Sequence, residues 1–437
     1  MRWDDMSPKV AFATLGCKVN QYDSEAMEGL FREAGYEVVD FSSPADVYVV
    51  NTCTVTHRSD AKARQLLRRA ARTNPAALRV VAGCYAQVSP AELAAMGVDL
   101  VVGLDRRGEI VRLVEQVRRS RDPLVAVGDV WRMEEFEELP VTGRSRTRAT
   151  IKVQEGCDEF CAYCIVPYAR GRIRSRDPER VVEEVRRLEA AGFHEVVITG
   201  VHLGAYGRDR GDLSLEDLVR RIHASTGIER IRLSSVEPMD ITPGLVDCVT
   251  TLERVCPHMH IPLQSGCDET LARMRRRYTT EDFRRLVAAL REGRPDIAIS
   301  TDLMVGFPGE TEEEFERSLA FVEEMAFSRL HVFRYSRRKG TPAARLPDQV
   351  PAEVKAERSR RALALGERLA LDFHRRFLGQ SLEVLVEEER EGEFLQGLTG
   401  NYIRVFLRGS DELMNRLVPV TLTRATPEGA WGKIGEG

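Results

Sequence analysis

The stretch Gly156-Cys157-Asp158-Glu159-Phe160-Cys161-Ala162-Tyr163-Cys164 sets three cysteines at C-x3-C-x2-C spacing. There are three thiols, not four. A structural zinc site closes a tetrahedron of four ligands, and candidates for a fourth, such as His194, lie well down the chain. Three thiolates instead suit a [4Fe-4S] cluster with one iron left open. An open iron can bind a small molecule. The alternatives are a zinc site and three buried structural cysteines.

A second set of three shares a different setting. Cys17, Cys53 and Cys84 each follow an apolar run directly, as Ala-Thr-Leu-Gly-Cys17, Val-Val-Asn-Thr-Cys53 and Val-Val-Ala-Gly-Cys84. In an open parallel sheet, the loops at the carboxyl ends of the strands form a shared crevice. Three thiolates there are expected to converge on one cluster, again with an iron free. Cys248, Cys256 and Cys267 lack either pattern and read as packing residues.

Working outward, residues 7–120 alternate short apolar runs with amphipathic stretches. Strands are expected at 9–15, 46–51, 78–82 and 100–102, and helices at 23–34 and 59–72. Near-continuous apolar strands alternating with helices indicate an open parallel α/β domain. Residues 121–142 read as a solvated linker. It holds an acidic knot (Glu134, Glu135, Glu137, Glu138) and Pro140, and a basic run with Arg144, Arg146 and Arg148 follows. Over 143–375 the alternation resumes, with strands expected at 150–154, 195–199, 230–234, 258–262, 298–304 and 329–333. Six such units suggest a partial (β/α)6 barrel, whose chemistry sits at the carboxyl ends of its strands. A long helix is expected over 353–377. Residues 376–437 turn to alternating runs at 382–386, 402–406 and 417–422, the texture of a small all-β barrel. The fold class is therefore α/β multidomain with an all-β carboxyl-terminal barrel.

At 437 residues the chain exceeds one ordinary core. A formal net charge of −4 gives no global signal for nucleic acid, although a local basic patch remains open. Nine cysteines are too sparse for a disulfide scaffold, and their clustering points to metal in a reducing, cytoplasmic compartment. The start Met1-Arg2-Trp3-Asp4-Asp5-Met6 carries no apolar run of a secretion signal. No apolar run approaches the ~18 residues of a membrane span, so no membrane association is expected.

Together these motifs resemble the methylthiotransferases, a family of radical S-adenosylmethionine (SAM) enzymes, across nearly the full length. The resemblance rests on Thr14-Leu-Gly-Cys-Lys-Val-Asn-Gln-Tyr-Asp-Ser24, on Asn51-Thr-Cys53, and on the long run from Gly156 to Ser175. It continues in His260-Ile-Pro-Leu-Gln-Ser-Gly266, Asp302-Leu-Met-Val-Gly-Phe-Pro-Gly-Glu-Thr311 and Tyr335-Ser-Arg-Arg-Lys-Gly-Thr-Pro342. Lys18-Val19 is most similar to the branch acting on N6-threonylcarbamoyladenosine (t6A) beside the tRNA anticodon. The branches acting on isopentenyladenosine or on a ribosomal protein typically carry other residues there, and both stay open. A non-enzymatic iron–sulfur carrier with an RNA-binding tail is the remaining reading. Two open three-cysteine sites argue against it, because a carrier gains from fully ligated clusters.

The resemblance implies two [4Fe-4S] clusters and SAM as cofactors. It divides the chain into an amino-terminal cluster domain (7–120), the linker (121–142), a radical SAM core (143–375) and a TRAM-like barrel (376–437). It makes Cys157, Cys161 and Cys164 the ligands of the radical-generating cluster, and Cys17, Cys53 and Cys84 those of a sulfur-carrying one. It points to Tyr163, Gly200, Ser235, Glu237, Gln264 and Gly306 for SAM. Glu310-Thr311 equally suits a helix start. It implies tRNA as substrate and an electron donor such as flavodoxin or ferredoxin. The arginines after the cluster loop (Arg170, Arg172, Arg174, Arg176) and the runs 275–277 and 337–339 are expected to meet RNA phosphates. In the last segment acidic residues outnumber basic ones, so RNA contact there would use a local face such as Tyr402, Arg404 and Phe406.

Overall fold

Strand β3 (Val47–Thr52) is buried at every position, which marks it as central to a sheet covered on both faces. Its neighbours follow from the same apolar pattern: β1 (Lys9–Thr14), β2 (Glu37–Val39), β4 (Leu78–Gly83), β5 (Leu100–Val102) and β6 (Leu124–Ala126). The order is β2-β1-β3-β4-β5-β6, and every pair is parallel. Tyr48 and Val50 pack on one face with Ala63, Leu67 and Ala70 of helix α2 (His57–Thr73). Val47 and Val49 pack on the other face with Met27 and Phe31 of α1 (Lys18–Glu33). The helices α3 (Cys84–Val88), α4 (Pro90–Ala95) and α5 (Ile110–Ser120) complete this layer structure. The computed structural model describes residues 7–54, 57–139, 147–211 and 213–435.

The expected linker departs from its reading. Residues 124–126 form the edge strand β6, paired with Leu100–Val102, so the first sheet continues past residue 120. Glu137 is not a solvated charge either. It pairs with the buried Arg107 at 2.9 Å. Helix α1 also starts earlier than its apolar pattern suggested, at Lys18, because Cys17 takes an extended conformation (φ −89°, ψ 175°) as its N-cap.

The chain divides into two compact units. One holds 1–144, 154–175 and 336–341; the other holds 145–153, 176–335 and 342–437. In the second unit, the strands are β7 (Arg148–Glu155, its residues up to 153), β9 (Glu195–Gly200), β10 (Arg230–Leu233), β11 (His258–His260), β12 (Ala298–Val305) and β13 (Arg329–Arg334). The short β8 (Arg174–Ser175) pairs antiparallel with Gln154 and Glu155 in the first unit. Sheet order runs β7-β9-β10, and β11-β12-β13. Parallel bridges Ile231–Val255 and Ser235–His260 join the two halves, which gives the six-stranded partial barrel. Its apolar face, with Val196, Ile231, Ile261, Leu303 and Leu330, packs in one cluster with the surrounding helices.

Those helices are α7 (Pro178–Ala190), α8 (Leu215–Ser225), α9 (Pro243–Thr251), α10 (Asp268–Arg273), α11 (Thr280–Gly293), α12 (Glu312–Met325) and α13 (Ala352–Arg375), after α6 (Val166–Arg170) of the first unit. Three of them begin with capping boxes: Ser214 with Asp217, Thr279 with Asp282 and Thr311 with Glu314. Thr311 is thus the N-cap of α12, while Glu310 turns inward to accept from Gly306 N–H (2.9 Å) and Arg358 (2.6 Å).

The carboxyl-terminal segment closes into a barrel in the order β14-β15-β16-β18-β17. Its strands are β14 (Ser381–Glu391), β15 (Phe394–Thr399), β16 (Arg404–Arg408), β17 (Leu417–Thr426) and β18 (Gly429–Ile434). Val386, Leu395, Val405, Leu407 and Val420 fill its interior. It shares the second unit with the six-stranded barrel. Arg230 donates to the Leu398 carbonyl (3.0 Å) and Arg232 to the Gly400 carbonyl (2.9 Å), two buried cations that tie the last barrel down.

Here one expectation fails. Tyr402 precedes β16 with φ +68°, so it shares no strand face with Arg404 and Phe406. Its ring stacks on His258 at 4.5 Å and lies under Arg232. Phe406 instead packs on Trp431, with centroids 5.2 Å apart. Among the described residues, no helix is long and apolar enough to cross a membrane.

Candidate functional site

Cys17, Cys53 and Cys84 all stand at carboxyl ends of strands, after β1, β3 and β4. Cys17 is exposed, and Cys53 and Cys84 are buried. The turn that carries Cys17 requires Gly16. Its φ is +104°, and a Cβ there would lie 2.7 Å from Cys53 Cβ and 3.0 Å from Cys53 Sγ. That contact brings the first two cysteine turns against each other. Asn20 then staples them, donating from Nδ2 to the Leu15 carbonyl (2.8 Å) and the Thr52 carbonyl (2.9 Å). Asn51 reciprocates by donating to the Asn20 carbonyl at 2.8 Å. Asn20 and Asn51 therefore hold the crevice by their amides.

The Cys157, Cys161 and Cys164 loop belongs to the same compact unit. Gly156 leads into it at φ +79°, and a Cβ there would sit 1.8 Å from the Arg172 carbonyl oxygen. Cys157 N–H donates to the Gly171 carbonyl and Cys164 N–H to the Cys161 carbonyl, each at 3.0 Å. Tyr163 is half-buried in the turn between the last two cysteines. Trp131, from the expected linker, stacks on Phe160 of the loop at 5.8 Å and 9°. Tyr168 meets the same ring edge-on at 5.6 Å.

Arg170, expected on the RNA-facing side, lies inside the protein instead. It is fully buried, with Nε donating to Cys84 Sγ at 3.3 Å. Its other nitrogens donate to Glu155 (2.5 Å), Asn20 Oδ1 (2.5 Å) and Asp23 (3.2 Å). Arg107, also buried, pairs with Asp23 at 2.8 Å and with Glu137 and Glu155. Burial works against the Arg170 charge, and Cys84, Glu155 and Asp23 outweigh it, which raises its pKa well above the usual arginine value. The Cys84 thiol is pushed up to about 11 by burial. Arg170 opposes that rise, while Cys53 and Cys17 add to it. A buried cation aimed at a sulfur suits an anionic, metal-bound thiolate at Cys84. The donor set fits an iron–sulfur cluster on both sides.

Other arginines of the expected RNA stripe turn inward too. Arg174 donates to the carbonyls of Arg172 and Arg170, each at 3.1 Å. Arg176 pairs with Glu184, and Arg276 with Glu237. Arg338 donates to Asp60 (2.6 Å) and to the Thr54 hydroxyl, beside Cys53. These four arginines, like Arg170, are buried, and each has the carboxylate or carbonyl partners that a buried guanidinium requires. Arg172, Arg275, Arg277, Arg337 and Lys339 remain exposed.

The residues anticipated for SAM fall on consecutive strand ends of the second unit. Gly200 closes β9, Ser235 follows β10, Gln264 follows β11 and Gly306 follows β12. Glu237, two residues beyond Ser235, is committed to Arg276. Gln264 takes φ +62° and bridges to Leu303. The Lys355 side chain fills the space beside Gly306.

Two family models match the chain. "Uncharacterized protein family UPF0004" covers residues 9–103, and "Radical SAM superfamily" covers residues 151–322. The chain is 46% identical to a threonylcarbamoyladenosine tRNA methylthiotransferase MtaB of Bacillus subtilis, over 95% of this chain and 94% of that one. It is 41% identical to a protein of the same name from Aquifex aeolicus, over 95% and 100%. A tRNA-2-methylthio-N(6)-dimethylallyladenosine synthase of Moorella thermoacetica is 38% identical over 94% and 95%. Among solved structures, the radical SAM methyltransferase TsrM of Kitasatospora setae superposes with a TM-score of 0.59 at 19% identity, over 77% of each chain, which is a likeness of fold. With two three-thiol sets in one compact unit and such identity along nearly the whole chain, this protein belongs to the radical SAM methylthiotransferases.

Proposed function

We propose that this enzyme transfers a methylthio group to C2 of t6A beside the anticodon of tRNA, giving 2-methylthio-t6A. The observation that carries the reading is the 46% identity to the Bacillus subtilis enzyme over 95% of the chain, with the Lys18-Val19 start of α1 after Cys17. The cofactors are SAM and two [4Fe-4S] clusters. When bound, they supply radical chemistry at an adenine C2–H bond too weakly acidic for a general base, and the sulfur to be methylated and transferred.

The chain's own residues hold and bias these groups. Cys157, Cys161 and Cys164 would ligate one cluster, and Cys17, Cys53 and Cys84 the other. Arg170 keeps positive charge against Cys84, and Glu155 and Asp23 hold its guanidinium in place, with Arg107 pairing to the same two carboxylates. Arg338 fixes the Thr54 end of the Cys53 turn. In the second unit Gly200, Ser235, Glu237, Gln264 and Gly306 would contact SAM, Glu237 being held by its pair with Arg276; Tyr163 is the candidate in the first unit. The domains follow the family's order, with a TRAM-like barrel last. That barrel carries Phe394, Phe406 and Trp431 as one aromatic cluster, with Arg408 over Phe394 and Arg424 over Trp431. Aromatic faces flanked by arginine suit unpaired bases. The exposed Arg172, Arg275, Arg277, Arg337 and Lys339 serve phosphate contact. An electron donor of the flavodoxin or ferredoxin type completes the reaction.

Mass spectrometry of tRNA nucleosides from a strain lacking the gene tests the substrate. Loss of 2-methylthio-t6A, and its return on complementation, is the expected result. Loss of the methylthio-isopentenyl nucleoside would move the enzyme to the other tRNA branch. Unchanged tRNA with loss of a methylthio group on a ribosomal protein would sink the RNA substrate.

A further inference from the structure

The six-stranded barrel holds a histidine–carboxylate cluster that the reaction above does not use. His260 ends β11, Asp302 lies in β12 and His331 in β13. The parallel register pairs His260 with Ser300 and Asp302 with His331. Ser300 and Asp302 are two residues apart on one strand, so they share a face. All three side chains therefore project from one side of the sheet. The alternate residues Ile261, Leu303 and Leu330 project from the other side, into the helix-packed core.

His260 Nε2 lies 3.3 Å from Asp302 Oδ1, and His331 Nδ1 lies 3.2 Å from the same oxygen. All three candidate ligand atoms fall within 4.8 Å of one another. These spacings are long for charge-assisted N–H···O bonds, which run about 2.7–2.9 Å. His331 Nδ1 and Asp302 are within hydrogen-bond reach, and both spacings also match the edge of a coordination shell: ligands about 2.1 Å from a metal, at octahedral or tetrahedral angles, stand roughly 3.0–3.4 Å apart. The other nitrogen of His260, Nδ1, is 3.0 Å from the Ser300 hydroxyl, which also meets His258 Nε2 at 3.1 Å. A polar partner on the far nitrogen is how metal-binding imidazoles are oriented. The side chains are 12%, 23% and 41% exposed, so a cation has access and coordination positions are left over.

We propose that His260, Asp302 and His331 form a two-histidine, one-carboxylate site for a divalent transition-metal cation, one that uses none of the six cluster cysteines. Imidazole and carboxylate favour a cation of the zinc or ferrous class. The open positions hold exchangeable water or an anionic oxygen ligand. Ser300 is its positioning residue, acting on the cation through His260.

Zinc is the probe. Anaerobically reconstituted protein is dialysed against zinc buffered by a weak chelator, and zinc and iron per chain are measured together by mass spectrometry. The expected result is about one zinc per chain beyond the iron. Asp302→Asn and His331→Gln should each lose that zinc with iron content unchanged, and a melting profile like the parent's reports that the second unit, which carries both substitutions, has folded. His331 is the most exposed of the three, so its variant is the safer one for folding. Ser300→Ala should retain the site but weaken zinc affinity by about 10–100-fold. No zinc on the parent protein, or equal zinc on the parent and on both ligand variants, would overturn the proposal. The second outcome would assign the zinc to the cluster cysteines.

Discussion

Arg170 Nε donates a hydrogen bond to Cys84 Sγ at 3.3 Å, and both residues are buried. The two lie 86 positions apart in sequence. The arginine that follows one cysteine set thus reaches a cysteine of the other within one compact unit. Hydrogen bonds to cluster sulfurs shift reduction potentials. Arg170 is therefore expected to bias the cluster proposed at Cys17, Cys53 and Cys84.

Arg170→Met should act on both stability and potential. It leaves Glu155 and Asp23 short of a partner, and breaking such a buried pair costs about 3–5 kcal/mol. A lower melting temperature is expected. In an EPR-monitored redox titration, one cluster should move to a more negative potential while the other stays. If neither potential moved, the contact would have no electronic role.

Gly16→Ala should remove one cluster and spare the other. A methyl group there meets Cys53 Cβ at 2.7 Å, in a backbone conformation that L-residues rarely adopt. Iron should fall from about eight to about four per chain, while reductive SAM cleavage persists. Full iron content would show that the Cys17 and Cys53 turns need not touch.

The aromatic cluster on the carboxyl-terminal barrel should contribute to tRNA affinity. Trp431→Ala removes the ring shared by Phe394 and Phe406. A loss of about 1–3 kcal/mol in tRNA binding is expected, in the range of one base stacked on an aromatic. Affinity equal to the parent's would make the cluster purely structural. This substitution is cleaner than truncation after Gly379, which would strip Arg230 and Arg232 of their carbonyl partners.

His374 gives the helix–barrel junction a pH dependence. Its Nδ1–H donates to the Thr426 carbonyl at 2.7 Å, and burial pushes its pKa below 6.5. The unfolded chain then binds a proton more readily than the folded one between those values. Stability from this group is complete above about pH 6.5 and is lost as the pH falls towards the folded value. His374→Asn should narrow the gap in melting temperature between about pH 7.5 and about pH 6. An unchanged gap would assign the acid sensitivity elsewhere.

Much of the scaffold was legible in the sequence. Apolar runs ending in cysteine marked β1, β3 and β4 and their crevice, because buried parallel strands read as continuous hydrophobic stretches. The C-x3-C-x2-C loop needed no tertiary information. What stayed hidden was long-range pairing. Arg338 looked like a surface charge until Asp60, 278 positions away, supplied its partner. Arg170 and Glu137 misled in the same way, since a charged residue shows its sign in sequence but not its partner. Strand β6 was too short to stand out from a charged connection, and its pairing comes entirely from β5. Tyr402 looked like a strand residue, and only its left-handed backbone places it before β16. His331 had no motif around it, and became notable once register set it beside Asp302.

Two three-cysteine sites are proposed to divide one reaction, and a single assay reads that division. Purified enzyme is given SAM, a strong reductant and tRNA carrying t6A, and 5′-deoxyadenosine and 2-methylthio-t6A are quantified together. The parent should form both, Cys157→Ala neither, and Cys53→Ala 5′-deoxyadenosine alone. Formation of 2-methylthio-t6A by Cys53→Ala at the parent's level would contradict the account.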